Sequence, residues 1–467
     1  MLPPPFIRQM QELLGAAYPE FEAALSSAPP VSIRLHPVKA NPQSAIPNPQ
    51  SAIPNPQSAI PNPPSPIPWH PLGYYLSERP SFTLDPNLHA GAYYVQEASS
   101  MFLHEALRRA AELPPRPKIL DLCAAPGGKS TLLSAFTGSE GLLVSNEFVR
   151  ARVGILRENL ERWGVPNTAV THTDAAAFGR LAGWFDVVAV DAPCSGEGLF
   201  RKDPDAMREW SPKAVEHCAL RQQEILRGAV QALAPGGVLL YSTCTYNRQE
   251  NEENVRWLCK EYALSPVTLD IPAAWGIERN EWGFRFFPHK LAGEGFFISV
   301  LRKQAGPIAR RAQPAGFQFL QAVPKNQLPA LTPWVSEGES WRFYRTPREE
   351  IVALPAVLAD DFLMLDPVCN AKWFGVPLGT FKGKDFVPDH ALALSLGRSP
   401  ALPMADLDRE QALQFLRKEH FDLPAGVPSG WVLAGFGGLA LGWIKAMPNR
   451  MNNYLPMERR IRKQGNG

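Results

Sequence analysis

Between Pro117 and about Lys303, short apolar stretches alternate with segments of helical pattern, and this alternation constrains the fold more than any other feature. The apolar stretches are nearly continuous, which is typical of strands that are buried on both faces of a parallel sheet. Polar residues cluster where these strands end. The pattern predicts a doubly wound α/β domain whose ligand site lies beyond the carboxyl ends of the strands. The predicted strands are KILDLCAA (118–125), GLLVSNE (141–147), TAVTHTD (168–174), WFDVVAVDAP (184–193) and GGVLLYSTC (236–244).

A proline-rich repeat lies ahead of this domain. The unit NPQSAIP begins at Asn41, Asn48 and Asn55, and a degenerate copy, NPPSPIP, begins at Asn62. Two prolines per unit exclude a helix, so the seven-residue period does not indicate a coiled coil. The repeat predicts an extended, polyproline-like or disordered insertion, with a ligand for a proline-binding partner module as the alternative.

The segments on either side of the α/β pattern differ from it. Before the repeat, residues 6–25 predict a pair of helices and VSIRLHP (31–37) predicts a strand. After Gly306, aromatic strand-like pieces such as SWRFYRTP and GWVLAGFGG flank short helices, which predicts a separate α+β region with a basic end. A chain of 467 residues can hold about three domains. We expect them at 1–115, interrupted by a linker at 41–68, at 116–305 and at 306–467.

Charge and cysteine content exclude several classes of protein. A net charge of +2 permits a nucleic acid partner without demanding one. The six cysteines form no C-x-x-C pair and have no histidine at ligand spacing, so we expect no metal site. Neither the start, MLPPPFIRQMQELLG, nor the apolar stretch at 430–444 is typical of a signal peptide or a membrane span. We therefore expect a cytoplasmic protein without membrane contact, whose cysteines remain thiols.

The turn CAAPGGKS (123–130) follows the first strand of the α/β pattern and narrows the choice of ligand. Its end matches a nucleotide triphosphate loop, but Cys123 stands where that loop requires glycine, and no G-x-G-x-x-G is present. What remains is a tight turn that lets a ligand approach the backbone closely. The predicted cofactor-binding residues of this turn are Cys123, Ala124, Ala125, Pro126, Gly127, Gly128 and Lys129.

Two acidic residues follow the next two strands. Glu147 is suited to accept hydrogen bonds from ribose hydroxyls, and Asp174 could meet an adenine edge. A nucleoside without a phosphate cradle fits S-adenosylmethionine better than ATP or NAD. Either acid could instead cap the segment that follows it. Their register with the turn favours the binding role.

Two cysteines follow the fourth and fifth strands, Cys194 in VVAVDAPCSGEG and Cys244 in VLLYSTCTYN. LDLCAAPGGKS, VDAPCSGEG and YSTCTYN resemble the motifs of the Nop/Sun-type RNA (cytosine-5) methyltransferases. AYYVQEASSM (92–101) resembles the segment before their catalytic domain. PLGTFKGKDFVPDHALALS and GLALGWIKAMPNRMNNYLP resemble the tail of the bacterial ribosomal small-subunit methyltransferase F group. The proline repeat departs from the family pattern.

The resemblance implies a fold and a set of roles. The fold is a Rossmann-like class I methyltransferase domain, flanked by an N-terminal α+β RNA-binding domain and a C-terminal α+β region with a PUA-like module. Cys244 is implied to attack the base and Cys194 to assist product release. Asp191, also predicted to contact the cofactor, is implied to hydrogen-bond the base, and Lys129 to lie near the base or the cofactor carboxylate.

The two cysteines are also predicted to be neighbours from their spacing, since the fourth and fifth strands of such a sheet are adjacent. A thiolate that adds to carbon 6 of cytosine makes carbon 5 nucleophilic, and release then requires removal of the proton on carbon 5. The usual fate of a free cysteine is a small buried apolar residue. We expect that fate for Cys218, Cys259 and Cys369.

The predicted function is S-adenosylmethionine-dependent methylation of carbon 5 of a cytosine in small-subunit ribosomal RNA. The partner would be ribosomal RNA or the small ribosomal subunit, which must deliver the base unstacked, and we expect a monomer. The alternatives are a transfer RNA cytosine-5 methyltransferase and a catalytically idle RNA-binding assembly factor. The intact Cys194, Cys244, Lys129 and Asp191 argue against idleness.

Overall fold

The computed structural model describes residues 2–40, 65–306, 320–448 and 450–463, and every structural statement below concerns these residues. Residues 41–64, which contain the first three repeat units and the start of the fourth, lie outside them. The predicted linker extends to residue 68, but Ser65–Pro66 pairs with Gly73–Leu76 and Ile67 is buried. The last residues of the predicted linker, from Ser65 on, thus form part of the N-terminal region.

The N-terminal region contains the predicted helical pair and a small antiparallel sheet. Its elements are α1 (Pro4–Leu14), α2 (Tyr18–Leu25), β1 (Val31–Leu35), β2 (Ser65–Pro66), β3 (Gly73–Leu76), α3 (Pro86–Ala90), β4 (Tyr93–Val95) and α4 (Phe102–Ala110). The sheet order is β2-β3-β1-β4. Helix α1 begins at a proline, which is favourable in the first turn, and buries Phe6 and Met10 on one face.

The central region alternates strands and helices as the sequence predicts. Its elements are β5 (Lys118–Asp121), α5 (Gly128–Leu133), β6 (Leu142–Asn146), α6 (Arg150–Trp163), β7 (Thr168–Thr171), β8 (Phe185–Asp191), α7 (Pro204–Glu209), α8 (Pro212–Ala232), β9 (Leu233–Thr243), α9 (Asn254–Glu261), β10 (Leu264–Pro266), β11 (Glu278–Arg279), β12 (Phe284–Phe286) and β13 (Phe296–Lys303). Strands β9, β8, β5, β6 and β7 are neighbours in this order and run parallel. The chain order reverses at β5, so the ligand crevice of this doubly wound sheet lies at its carboxyl end.

The parallel strands are buried because helices or further chain cover both faces of the sheet. Leu120, Val188 and Leu239 belong to one apolar cluster, while Ile119, Val187 and Leu240 belong to another. Successive residues of each strand thus face opposite clusters. This explains why the strands appear in the sequence as continuous apolar runs.

The C-terminal region adds two smaller sheets. Its elements are β14 (Gln321–Ala322), α10 (Leu328–Leu331), β15 (Trp341–Arg345), β16 (Glu350–Pro355), α11 (Ala359–Cys369), β17 (Ala371–Phe374), β18 (Val376–Lys382), β19 (Asp385–Pro388), α12 (His390–Leu394), β20 (Met404–Asp406), α13 (Arg409–Arg417), β21 (Gly430–Phe436), β22 (Leu439–Met447) and β23 (Arg450–Asn453). The sheet orders are β14-β15-β16-β18-β19 and β20-β21-β22-β23.

One strand of the C-terminal region belongs to the central sheet. Strand β17 pairs antiparallel with β7, with Ala371 opposite Thr171 and Phe374 opposite Ala169. The sequence predicts a separate region after residue 306, and the structure pairs one strand of that region with the central sheet. An uncovered β7 would expose unpaired backbone groups at the edge of the sheet, and β17 pairs with them.

Candidate active site

The carboxyl ends of the five parallel strands carry all of the residues that the sequence predicts for the site. They are, in chain order, the turn 123–129 after β5, Glu147 after β6, Asp174 after β7, Asp191 at the end of β8, Cys194 after β8, and Cys244 after β9. Because β8 and β9 are neighbours, the structure places the two cysteines together. Asp174 follows β7, at the far end of this row of parallel strands.

The sulfur atoms of Cys194 and Cys244 lie 3.0 Å apart. The register of the parallel strands, with Asp191 opposite Ser242, brings the two segments together. Cys244 N–H points to the sulfur of Cys194 at 3.3 Å, and Gly198 N–H donates to the carbonyl of Cys244 at 2.9 Å. The predicted adjacency of the two cysteines is confirmed.

The environment of Cys194 favours its neutral form. The hydrogen bond with the sulfur of Cys244, burial and the nearby charges of Cys244 and Glu250 raise the pKa of Cys194 well above that of an ordinary thiol. At neutral pH the proton of Cys194 therefore stays on its own sulfur. A neutral thiol at this position can donate a hydrogen bond to Cys244.

Lys129 and Asp191 form an ion pair beside the cysteines. The ammonium lies 2.6 Å from Oδ2 of Asp191, and Ser242 Oγ–H donates to Oδ1 at 2.8 Å. Burial alone would lower the pKa of Lys129, but attraction to Asp191 and, to a smaller extent, to Cys244 raises it above its ordinary value. The lysine is therefore a fixed positive charge close enough to interact with the Cys244 sulfur.

Both predicted acids cap the segment that follows them, the alternative that the sequence leaves open. Glu147 Oε1 accepts from Val149 N–H at 2.7 Å, and Asp174 Oδ1 accepts from Ala176 N–H at 2.8 Å. Glu147 also contacts the turn, because its Oε2 accepts from Ala125 N–H at 3.3 Å. Glu147 thus links the ends of β5 and β6.

The N-terminal region packs against the turn 123–130 and donates hydrogen bonds to the residues at its end and just after it. The sequence motifs do not indicate this contact. Arg34 is buried, and its guanidinium donates to the carbonyl of Gly128 at 3.3 Å and to Oγ1 of Thr131 at 2.6 Å. Gly127 has φ +114°, a backbone conformation that residues with a side chain rarely adopt. Residue 128 is also a glycine. A Cβ atom added there would lie 3.3 Å from the ring of Tyr94. Glycine at position 127 therefore suits the backbone of the turn, and glycine at position 128 suits its packing against Tyr94.

Two further residues near the carboxyl ends of these strands are absent from the sequence prediction. Phe148 follows Glu147 and is 56% exposed, so a large apolar side chain stands at the end of β6. Asp121 ends β5 and is fully buried; Ser130 Oγ–H donates to its Oδ2 at 2.6 Å. Its Oδ1 has no hydrogen-bond partner among the described residues. An acid at the end of the first strand is a signal that sequence reasoning could have used.

Burial raises the pKa of Asp121 to about 7, with smaller contributions from the charges of Asp191 and Glu147, while Ser130 and Lys129 oppose the shift. The folded state therefore binds this proton more tightly than the unfolded state, whose carboxyl has its ordinary value of 3.8. The stability that this proton confers is complete below pH 3.8 and is lost as the pH rises through about 7.

We expect an Asp121→Asn variant to escape this loss, because its amide does not ionise. The free energy of unfolding of the variant, relative to the unsubstituted protein, should rise by about 2 kcal/mol between pH 5 and pH 8. Urea unfolding at both pH values measures it, with the exposed Asp422→Asn as the matched control. An equal pH dependence of the variant and the unsubstituted protein would contradict a raised pKa at Asp121.

The other cysteines occupy ordinary positions. Cys369, the last residue of α11, is buried in an apolar cluster, and Cys218 and Cys259 are half-buried within α8 and α9. Burial raises the pKa of Cys123, in the turn, above that of an ordinary thiol. Within the described parts of the chain, no group of three or more histidine, cysteine or acidic residues could hold a metal ion. No helix in the same residues is long and apolar enough to cross a membrane.

Comparison with known proteins identifies the family. A family model described as 16S rRNA methyltransferase RsmB/F matches residues 110–302. Ribosomal RNA small subunit methyltransferase F of Erwinia tasmaniensis is 33% identical, over 98% of this chain and 96% of its own length. The chain belongs to the RsmB/F family of 16S rRNA methyltransferases. The family that the sequence motifs predict is thus confirmed.

The regions flanking the catalytic domain also match RsmF. The N-terminal domain of 16S rRNA methyltransferase RsmF matches residues 2–98, and the RsmF PUA domain matches residues 404–461. The methyltransferase F of Pectobacterium atrosepticum is 35% identical over 79% of this chain and 78% of its own length. A solved methyltransferase homologue from Pyrococcus horikoshii is 26% identical, with a TM-score of 0.53, over 64% of this chain and 94% of its own. The predicted fold and its PUA module are confirmed.

Proposed function

We propose that this RsmF-family protein methylates carbon 5 of a cytosine in small-subunit ribosomal RNA, with S-adenosylmethionine as methyl donor and through a covalent bond between Cys244 and the base. The observation that carries the proposal is the pair of cysteine sulfurs 3.0 Å apart beside the Lys129–Asp191 ion pair. Methylation of an exocyclic amine needs no thiol. Methylation of carbon 5 needs one thiol to attack, and a second group to take up the proton.

The crevice fits S-adenosylmethionine better than a nucleotide triphosphate. The ammonium of Lys129, which would hold phosphates in a triphosphate loop, is already paired with Asp191. Glu147 would accept hydrogen bonds from the ribose hydroxyls, and the exposed ring of Phe148 offers an apolar surface to the adenine. Asp174, at the end of β7, would lie near the adenine edge. When bound, S-adenosylmethionine supplies an electrophilic methyl group on a sulfonium.

In the first step, the thiolate of Cys244 adds to carbon 6 of cytosine, and the electrons of the 5,6 double bond move so that carbon 5 becomes nucleophilic. Carbon 5 could then accept the methyl group that the cofactor would supply, with the electrons of the broken bond left on the cofactor. Removal of the proton on carbon 5 restores the double bond and expels the Cys244 thiolate. The net change is one methyl group gained and one proton released.

Cys194 is suited to accept this proton because its pKa depends on Cys244. In the free enzyme the Cys244 sulfur raises the pKa of Cys194 through hydrogen bonding and charge. Once Cys244 is bonded to carbon 6, its sulfur carries no negative charge, so the part of this effect that is due to charge disappears. Cys194 can then lose its own proton to solvent more readily, which makes its thiolate available at the stage of the reaction that requires a base.

Asp191 and Lys129 would hold the base in place. Asp191 is fixed by Ser242 and Lys129, at the end of the strand that leads to Cys194. A carboxylate so oriented can hydrogen-bond the polar edge of cytosine and favour the protonated, activated ring. Lys129 meanwhile interacts with the Cys244 sulfur.

The remaining parts of the proposal follow from this chemistry. Both thiols must stay reduced, which favours a cytoplasmic location. The base must leave its stack to reach the crevice, and the N-terminal domain and the PUA domain would bind the surrounding RNA. We propose that a monomer suffices, because all of the candidate residues lie in one chain.

Methylation in vitro tests the proposal. The protein is incubated with labelled S-adenosylmethionine and, in parallel, with isolated small ribosomal subunits, naked ribosomal RNA and transfer RNA, and the product is mapped. We expect 5-methylcytosine at a defined position of the small-subunit RNA. Label confined to transfer RNA, or a methyl group on nitrogen or ribose, would contradict the proposal.

A further inference from the structure

Glu197, three residues after Cys194, is fully buried, and its carboxylate accepts hydrogen bonds from five nitrogen atoms. The donors are the backbone N–H of Tyr246 at 2.9 Å and of Asn247 at 3.0 Å, Nδ2 of Asn247 at 3.2 Å, Nε1 of Trp210 at 3.1 Å and Nε2 of Gln9 at 3.1 Å. None of the ion pairs found among the described residues includes Glu197. Its burial is therefore compensated by these hydrogen bonds.

The carboxylate joins the segments that carry the two cysteines. Tyr246 and Asn247 lie two and three residues after Cys244, while Glu197 itself lies just after Cys194. The hydrogen bond from Gly198 N–H to the Cys244 carbonyl, at 2.9 Å, is a second link between the same segments. Glu197 thus fixes the backbone of the Cys244 loop relative to Cys194.

The third participant is the N-terminal helix α1, which contributes Gln9. The amide of Gln9 donates to both oxygens of Glu197 at 3.1 Å. One turn earlier, Phe6 is fully buried, with its ring centroid 4.9 Å from that of Phe200 and 5.9 Å from that of Trp210. Helix α1 is therefore packed against the segment that follows Cys194, and its polar contact reaches the carboxylate that holds the Cys244 loop.

We propose that Glu197 is a positioning residue that holds Cys244 in its attacking geometry, and that helix α1 of the N-terminal domain completes this support through Gln9. This inference rests on the proposed role of Cys244 as the nucleophile. Attack on carbon 6 requires the sulfur to be placed within a fraction of an ångström, and a displacement of about 1 Å can slow a reaction about 100-fold. The N-terminal domain thereby contributes to the catalytic step itself, besides any contact with RNA.

A Glu197→Gln variant tests the proposal. Glutamine has the same shape, but one acceptor oxygen becomes an NH2 group that faces N–H donors. We expect kcat for methyl transfer to fall about 100-fold while the KM for S-adenosylmethionine stays within about twofold. In a Cys194→Ala background, the rate of covalent protein–RNA adduct formation should fall by the same factor. The matched control is Glu209→Gln, which changes an exposed carboxylate on α7.

A Gln9→Ala variant removes one hydrogen-bond donor to the carboxylate of Glu197. Because Gln9 is only half-buried, this variant tests the same contact if Glu197→Gln does not fold. We expect about a tenfold fall in kcat, again without a change in the KM for the cofactor. All rates are measured at a temperature at which circular dichroism shows the variants to be folded.

The outcomes are distinct. A folded Glu197→Gln variant that transfers methyl groups at the unsubstituted rate would overturn the proposal. A slow Glu197→Gln variant together with an unaffected Gln9→Ala variant would overturn the part assigned to helix α1. Absence of methylation by the unsubstituted protein, measured in the same assay, would instead overturn the proposed function.

Discussion

A Cys244→Ala variant is expected to lose methyl transfer by about 10,000-fold or more while it still binds S-adenosylmethionine. Without this thiol no bond forms at carbon 6, and carbon 5 stays too electron-poor to accept a methyl group. Cofactor binding should persist because the contacts of Glu147 with Ala125 and Val149 do not involve residue 244. Transfer of labelled methyl groups to ribosomal RNA and calorimetric titration of the cofactor measure the two properties separately.

The matched control for this variant is Cys259→Ala. Cys259 is also a half-buried free thiol, but it lies within helix α9 and has no proposed role. We expect Cys259→Ala to retain transfer. If Cys244→Ala retained a comparable rate, Cys244 would not be the nucleophile. If Cys244→Ala also failed to bind the cofactor, its loss of activity would be explained by lost binding and would not show that Cys244 acts in the chemical step.

A Cys194→Ala variant is expected to behave in the opposite way, by accumulating a covalent protein–RNA complex. Cys244 can still attack and carbon 5 can still accept the methyl group, but no thiolate is placed to remove the proton on carbon 5. The bond between Cys244 and carbon 6 therefore persists. The complex should appear as a slowly migrating band in a denaturing gel, and nuclease treatment should remove it.

Two further variants make this result specific. Cys244→Ala and the double variant should form no such band, since neither retains the attacking thiol. If both cysteines were merely packed side chains, each single variant would lose about 1 kcal/mol of stability and neither would trap RNA. A band in Cys244→Ala instead of Cys194→Ala would mean that the two roles are exchanged.

The sequence predicts correctly the features that depend on local patterns of residues. Continuous apolar runs separated by helical segments identify the parallel sheet, because a strand covered on both faces has few polar positions. The adjacency of Cys194 and Cys244 follows from strand order, since both stand just beyond the ends of neighbouring strands. The motifs around them identify the family.

The features that the sequence does not predict depend on contacts between distant parts of the chain. The partners Gln9 and Glu197 are 188 residues apart, and nothing in the local pattern of either indicates a hydrogen bond. The pairing of β17 with β7 joins a strand of the C-terminal region to the central sheet in the same way. Such contacts are determined by the packing of whole domains.

Asp121 and Asp174 show that the sequence also does not determine the role of an acidic residue at the end of a strand. An acid at a strand end is compatible with a cap, a ligand contact or a buried hydrogen bond, and the sequence does not distinguish them. Asp174 makes a cap, and Asp121, which drew no prediction, is buried with one oxygen bonded to Ser130. The distinction depends on how deeply each strand end is covered, which only the assembled fold determines.

The most direct test of the proposed mechanism is to identify the atom of the protein that is bonded to RNA. The complex formed by Cys194→Ala with small-subunit ribosomal RNA is digested with nuclease and protease, and the modified peptide is sequenced by mass spectrometry. We expect a peptide that carries a methylated cytidine nucleotide on the sulfur of Cys244. A nucleotide attached to Cys123 or any other residue, or a methylated RNA product with no covalent complex in any variant, would contradict it.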